Sequence, residues 1–216
     1  MNRAERRSTL PSPAQRAALA QRRRIILFAS LAIVAIGLIV AASLASRVPK
    51  TASDAPLKAT VAVGQKAPSF AVSSTTGLFD LTAAGGKPTL LEVFASWCPH
   101  CQHEATSLNT IYAAYKNKVN VIAVSGSPYG LDQSQPESQA GVLDFATKFG
   151  VRYPIAFDPQ LDVAGKYLQG GFPTVVLIGS DGNVQAIRDG EIPRSDITTA
   201  IDASLANKKP SPKMGS

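Results

Sequence analysis

Trp97-Cys98-Pro99-His100-Cys101 holds both cysteines of this 216-residue chain, directly behind the apolar run Leu90-Leu91-Glu92-Val93-Phe94. A strand that ends in Cys-x-x-Cys, with a helical pattern behind it, reads as a redox-active dithiol. The spacing has a physical purpose. Pro99 suits the first turn of a helix, where its missing N–H costs nothing. Cys98 then falls at the helix N-terminus, where unpaired amides and the macrodipole favour negative charge. The thiolate is the attacking form. Cys101, one turn on, is close enough to resolve a mixed disulfide. A purely structural disulfide across so short a loop would remove little chain entropy. Metal binding is the sharper rival, because Cys98, His100, Cys101 and His103 are all the cysteines and histidines of the chain. Zinc sites generally draw ligands from two separated pairs, and one short helical segment closes a tetrahedron poorly. Neither a metal nor a cofactor is expected.

Working outward, apolar runs alternate with helical patterns. Gly85-Gly86-Lys87-Pro88 leads into a buried strand at 89–95, and Ser69–Val72 and Leu78–Leu81 read as short strands around Thr76-Gly77. Behind the motif, Cys101, Ala105, Leu108, Tyr112 and Tyr115 recur at helical spacing to about Asn117. Val119–Ser125 is a further apolar strand, and 126–139 a loop rich in Gly, Ser, Pro and Gln. A second amphipathic helix carries Val142, Phe145, Ala146 and Phe149 and stops at Gly150. A short strand at Pro154–Phe157 and a short helix at Leu161–Leu168 follow. The runs 174–179 and 184–188 flank Ser180-Asp181-Gly182-Asn183, a strong hairpin signal. Pro193 opens a last helix striped by Ile197, Ile201 and Leu205. Parallel strands, crossover helices and a terminal hairpin make an α/β sandwich.

The net charge of +7 suggests nucleic acid until it is divided along the chain. Residues 1–24 carry seven arginines against Glu5, whereas the remaining 192 residues carry 15 basic and 14 acidic groups. The domain therefore gives no general case for a nucleic-acid partner. Ile25 to Ala45 is a run of 21 residues without a charge, about 31 Å as a helix and close to the hydrocarbon thickness of a bilayer. The arginines before it put the N-terminus in the cytoplasm and the rest across the membrane. A cleaved signal peptide, with Ser43-Leu44-Ala45 as its site, would have an unusually long apolar region. The expected organisation is a basic cytoplasmic tail at 1–24, a transmembrane anchor at 25–45 and a linker at 46–60. A folded domain at 61–207 and a frayed tail at 208–216 complete it. The cysteines then lie outside the cytoplasm, where disulfides persist.

Phe94-Ala95-Ser96-Trp97-Cys98-Pro99-His100-Cys101, together with Gly170-Gly171-Phe172-Pro173-Thr174, resembles the thioredoxin-like fold. The order of elements is similar to its membrane-anchored bacterial branch, the TlpA/ResA-type thiol-disulfide oxidoreductases. The resemblance covers roughly 61–205 and includes Val63-Gly64-Gln65-Lys66-Ala67-Pro68-Ser69-Phe70 at the domain entry. It implies a central mixed sheet with flanking helices, an N-terminal hairpin and a central insertion. The 71 residues between Cys101 and Pro173 leave room for that insertion.

The resemblance also implies roles. Pro173 corresponds to the family's cis-proline, and Phe172 and Thr174 beside it present backbone to a substrate strand. Trp97 covers the cysteine pair, with Pro99 and His100 completing the substrate-facing rim. Glu92 falls where thioredoxin has a buried acid, and there it would take the proton from Cys101. Partners would be extracytoplasmic proteins bearing thiols or disulfides, and a membrane redox partner that recycles the pair. Direction is contested within the motif. The architecture resembles the reducing branch, which keeps targets such as apocytochrome c reduced. Pro99-His100 is instead the dipeptide of DsbA-type oxidases, where a histidine near the thiolate raises the potential. A copper metallochaperone is the binding-module alternative, although such proteins space their cysteines more widely and add a distant histidine.

Overall fold

The computed structural model describes residues 61–208. The arginine tail, the apolar run at 25–45, the linker at 46–60 and nearly all of the tail at 208–216 lie outside the described residues. Among the described residues no helix is long and apolar enough to cross a membrane.

The centre of the fold is β3 (Thr89–Phe94), whose six residues are all buried. It pairs in parallel with β4 (Asn120–Ser125) and antiparallel with β6 (Thr174–Ile178). A strand covered on both faces reads as a continuous apolar run, which is why 89–94 is so easily located in the sequence. Outward from β4 lie β5 (Ile155–Phe157), then β1 (Ala71–Ser74) and β2 (Gly77–Asp80). Outward from β6 lies β7 (Val184–Asp189). The seven strands take the order β2-β1-β5-β4-β3-β6-β7 in one mixed sheet.

Strand periodicity sorts the core. Leu90 and Phe94 of β3 pack on one face with Cys101, Leu108 and Ile111 of α1 (Pro99–Tyr115). The same cluster takes in Val142 and Phe145 of α2 (Gln139–Lys148) and Ile197 and Ile201 of α4 (Arg194–Leu205). Leu91 and Val93 face the other way, towards Phe70 and towards Val163 and Tyr167 of α3 (Asp162–Tyr167). Glu92 shares the period of Leu90 and Phe94, so it lies on the face covered by α1.

The N-terminal hairpin is the element that differs most from the sequence pattern. Its strands run 71–74 and 77–80, shifted from 69–72 and 78–81. Polar side chains set the shift. Ser74 Oγ donates to the Gly77 carbonyl at 2.7 Å and accepts from the Thr76 amide at 3.2 Å, moving the turn to Thr75-Thr76. Asp80 accepts from the Thr82 amide at 2.8 Å and starts a 3-10 turn at Leu81–Ala83, which ends the strand. The entry to α3 moves from Leu161 to Asp162 for a similar reason. The buried Asp158 carboxyl accepts from the amides of Asp162, Val163 and Ala164, and Leu161 takes a left-handed φ of 56°.

Candidate active site

β3 ends at Phe94, and the chain reverses through Ala95-Ser96-Trp97-Cys98, closed by the Cys98 amide donating to the Ala95 carbonyl at 3.0 Å. Cys98 is the N-cap of α1 in extended conformation, Pro99 opens the helix, and no side chain caps it. Both cysteines are free and buried, Cys98 5% exposed and Cys101 1%. Cys98 Sγ lies 3.4 Å from the Phe172 carbonyl oxygen, to which its thiol donates. Phe172-Pro173 is a cis peptide. Thr174, fully buried, steadies that loop: its hydroxyl donates to the Gly171 carbonyl at 2.8 Å and accepts from the Gln169 amide at 3.2 Å.

Trp97 is half-buried and sits edge-on against Phe172, ring centroids 5.9 Å apart, beside the cysteine. Its indole N–H donates to Ser127 Oγ at 2.8 Å. Pro99 and His100 are exposed on the rim. The His100 ring engages a carboxylate: Nδ1 lies 3.1 Å from Glu191 Oε2, in the segment after β7. His103 is exposed as well. Among the described residues no three His, Cys, Asp or Glu side chains gather as a metal site.

Behind the cysteines is a buried acidic cluster. Glu92 is 3% exposed and Glu104 1%. Oε1 of Glu92 and both carboxyl oxygens of Glu104 have no hydrogen-bond partner. Burial pushes the Glu92 carboxyl well above its ordinary value, with the charges of Glu104 and Cys98 adding to it. Burial, with a smaller contribution from Glu191, raises Glu104 to about 8. The Cys101 thiol is driven far up, first by burial and then by the charge of Glu92. Tyr153, also buried, is raised by burial and then by the same two carboxyls. A carboxyl whose proton affinity is raised by burial, beside a thiol that must be deprotonated to react, is suited to proton exchange.

Glu104 was not picked out from the sequence, yet its position carries a signal. It sits three residues after Cys101 and four before Leu108, on the apolar stripe of α1 rather than opposite it. Ser96, Ser127 and Glu137 were also missed. Ser96 Oγ donates to Glu137 Oε2 at 2.5 Å, across 41 residues, and nothing local in the sequence announces that bond.

The Redoxin family model matches residues 62–201. The thiol-disulfide oxidoreductase ResA of Geobacillus thermodenitrificans is 33% identical over 148 residues, covering 68% of this chain and 80% of the relative. The thioredoxin-like protein YneN of Bacillus subtilis is 27% identical over 140 residues, 64% of this chain and 78% of that protein. Among solved structures, a candidate thiol:disulfide interchange protein DsbE from Chlorobium tepidum superposes with a TM-score of 0.58 at 27% identity. It covers 68% of this chain and 99% of its own.

Proposed function

The chain belongs to the Redoxin family and is a thiol-disulfide oxidoreductase of the TlpA/ResA type, and from that premise we propose that it is a membrane-anchored, extracytoplasmic reductase of protein disulfides. The observation that carries the reading is the placement of Cys98 Sγ 3.4 Å from the Phe172 carbonyl, with Cys101 sealed behind it beside Glu92. A substrate strand docked along the Phe172-Pro173-Thr174 backbone brings its disulfide to Cys98.

The Cys98 thiolate attacks one substrate sulfur, forming a mixed disulfide and expelling the other sulfur as a thiolate. Cys101 then gives its proton to the Glu92 carboxylate and attacks the Cys98 sulfur. The first substrate sulfur leaves as a thiolate, and the Cys98–Cys101 disulfide forms. Two electrons have passed to the substrate, and a dithiol partner in the membrane restores the pair. Apocytochrome c is one target class this activity would serve.

Two features favour the reducing direction. Glu191 engages the His100 ring, so the imidazole's nearest charged partner is a carboxylate on the rim. Cys101, whose thiol is driven up by burial and by the charge of Glu92, contributes no thiolate to stabilise the reduced form, and without that stabilisation the potential stays low. Pro99-His100 supports the alternative, an oxidase that introduces disulfides. Equilibration of the full chain with a graded thiol-disulfide buffer decides between them. A potential near about −270 mV is expected of the reductase, and one near about −120 mV would establish the oxidase. Copper delivery is the weaker alternative, because both histidines are exposed while both cysteines are buried.

The anchor rests on the charge-free run at 25–45 and the arginines before it. Protease added to cells with a permeabilised outer layer should digest the domain and spare the arginine tail. Recovery of a soluble form beginning near Ser46 would replace the anchor with a signal peptide.

A further inference from the structure

We propose that Glu137 is a positioning residue for disulfide exchange: through Ser96 it fixes the turn that presents Cys98 to a substrate docked at Phe172. The proposal rests on the reductase reading above and names what holds its nucleophile in place. Ser96 and Trp97 are the two central residues of the turn closed by the Cys98 amide and the Ala95 carbonyl. The side chains of both are tied to a single distant loop. Ser96 Oγ donates to Glu137 Oε2 at 2.5 Å, and Trp97 Nε1 donates to Ser127 Oγ at 2.8 Å.

That loop is internally braced. The Glu137 amide donates to the Pro128 carbonyl at 2.9 Å and the Gly130 amide to Gln135 at 2.9 Å. Ser127 Oγ accepts from the Tyr129 amide and donates to the Tyr129 carbonyl, both at 3.1 Å. Both tethers therefore pull on one body.

Glu137 is itself rigidly mounted. Its second oxygen, Oε1, accepts from the Ser138 amide at 2.9 Å, and Ser138 caps α2 by accepting from the Gly141 amide at 3.0 Å. Helix α2 approaches the carboxyl so closely that a Cβ at position 141 would lie 2.5 Å from Oε1. From α1, Gln102 Nε2 donates to the Ser96 carbonyl at 3.0 Å. Ser96 is fully buried and Glu137 only 7% exposed, so water does not readily replace the bond when it is cut. A turn released on one side lets the sulfur drift from the line of attack, and a displacement of about 1 Å costs on the order of 10²-fold in rate.

The test compares the full chain, solubilised in detergent, with Glu137→Ala, Glu137→Gln and Ser96→Ala. Two disulfides serve as probes: insulin, which must dock through its backbone, and hydroxyethyl disulfide, which does not. In Glu137→Ala, turnover of insulin should fall about 10-fold to 10²-fold, mainly in kcat. The rate with hydroxyethyl disulfide and the midpoint potential should stay near wild type. Glu137→Gln retains an oxygen that can accept from Ser96 and should recover most of the loss. Ser96→Ala removes only a hydroxyl and should match Glu137→Ala, so it carries the test if the larger truncation does not fold. Wild-type insulin turnover in Ser96→Ala, or an equal loss on both probes with a shifted potential, would overturn the positioning role. A wild-type chain inert towards both probes overturns the reductase reading itself, and the positioning role with it.

Discussion

Replacing Cys101 with serine should turn the protein into a trap that accumulates mixed disulfides with its partners, while Cys98→Ser accumulates none. The difference follows from the geometry. Cys98 is the sulfur at the Phe172 carbonyl, where on the proposed reading a docked strand would deliver its disulfide. Cys101 is 1% exposed and its thiol is held far above its ordinary proton affinity by burial and by Glu92, so it is a poor first attacker. Without Cys101 the covalent intermediate has no intramolecular exit. Multiple turnover should fall by on the order of 10³-fold or more in either variant, but only Cys101→Ser should retain a stoichiometric first step. Non-reducing electrophoresis of partners captured from cells reads this directly. Equal trapping by the two variants would reverse the assigned roles.

The second large effect is expected at the buried carboxyls, where activity and stability should move in opposite directions. Glu92→Gln removes the group proposed to take the Cys101 proton, and resolution of a preformed mixed disulfide should slow by about 10²-fold or more. The same substitution relieves a buried, incompletely satisfied carboxyl and should raise the melting temperature at pH 8. Glu104→Gln gives the stability effect alone in its clearest form.

The sign follows from the direction of the shift. Glu104 is more basic in the folded protein, about 8 against an ordinary 4.5, so across that window the native state holds a proton that the unfolded chain has released. Stability therefore falls as pH rises from 4.5 to about 8, by at most about 5 kcal/mol for a fully expressed shift. Glu92 contributes in the same direction. Thermal unfolding of wild type and Glu104→Gln between pH 5 and 8 should show a steep decline in the first and a flatter one in the second. Parallel curves would mean that the Glu104 carboxyl is not held protonated by the fold.

The parts of this protein legible in its sequence are those governed by local periodicity. The run at 89–94 is apolar throughout because both faces of β3 are covered, and Ile197 and Ile201 mark the inner face of α4 because helical spacing leaves them no other role. Glu92 is placed in the interior by the family resemblance, with its apolar neighbours in support. The hairpin was displaced because Ser74 and Asp80 settle its turn through side-chain bonds, to which apolar periodicity is blind. Glu104 was passed over as one polar residue among many in a helix, although its spacing from Cys101 and Leu108 sets it on the inner stripe. Glu137 was beyond local inference. Its partner lies 41 residues away, and only the pairing of β4 alongside β3 brings the two together.

The reactive centre is assembled from separate stretches: the cysteines after β3, the Phe172 carbonyl before β6, and the Glu137 tether at the entry to α2. A short peptide excised around Cys-Pro-His-Cys would keep the two thiols and lose the carbonyl at the sulfur, the brace on the turn and the acid on β3. The motif is therefore not a portable module. Grafted onto another helix end, these residues would bring thiols without the neighbours that give each its task.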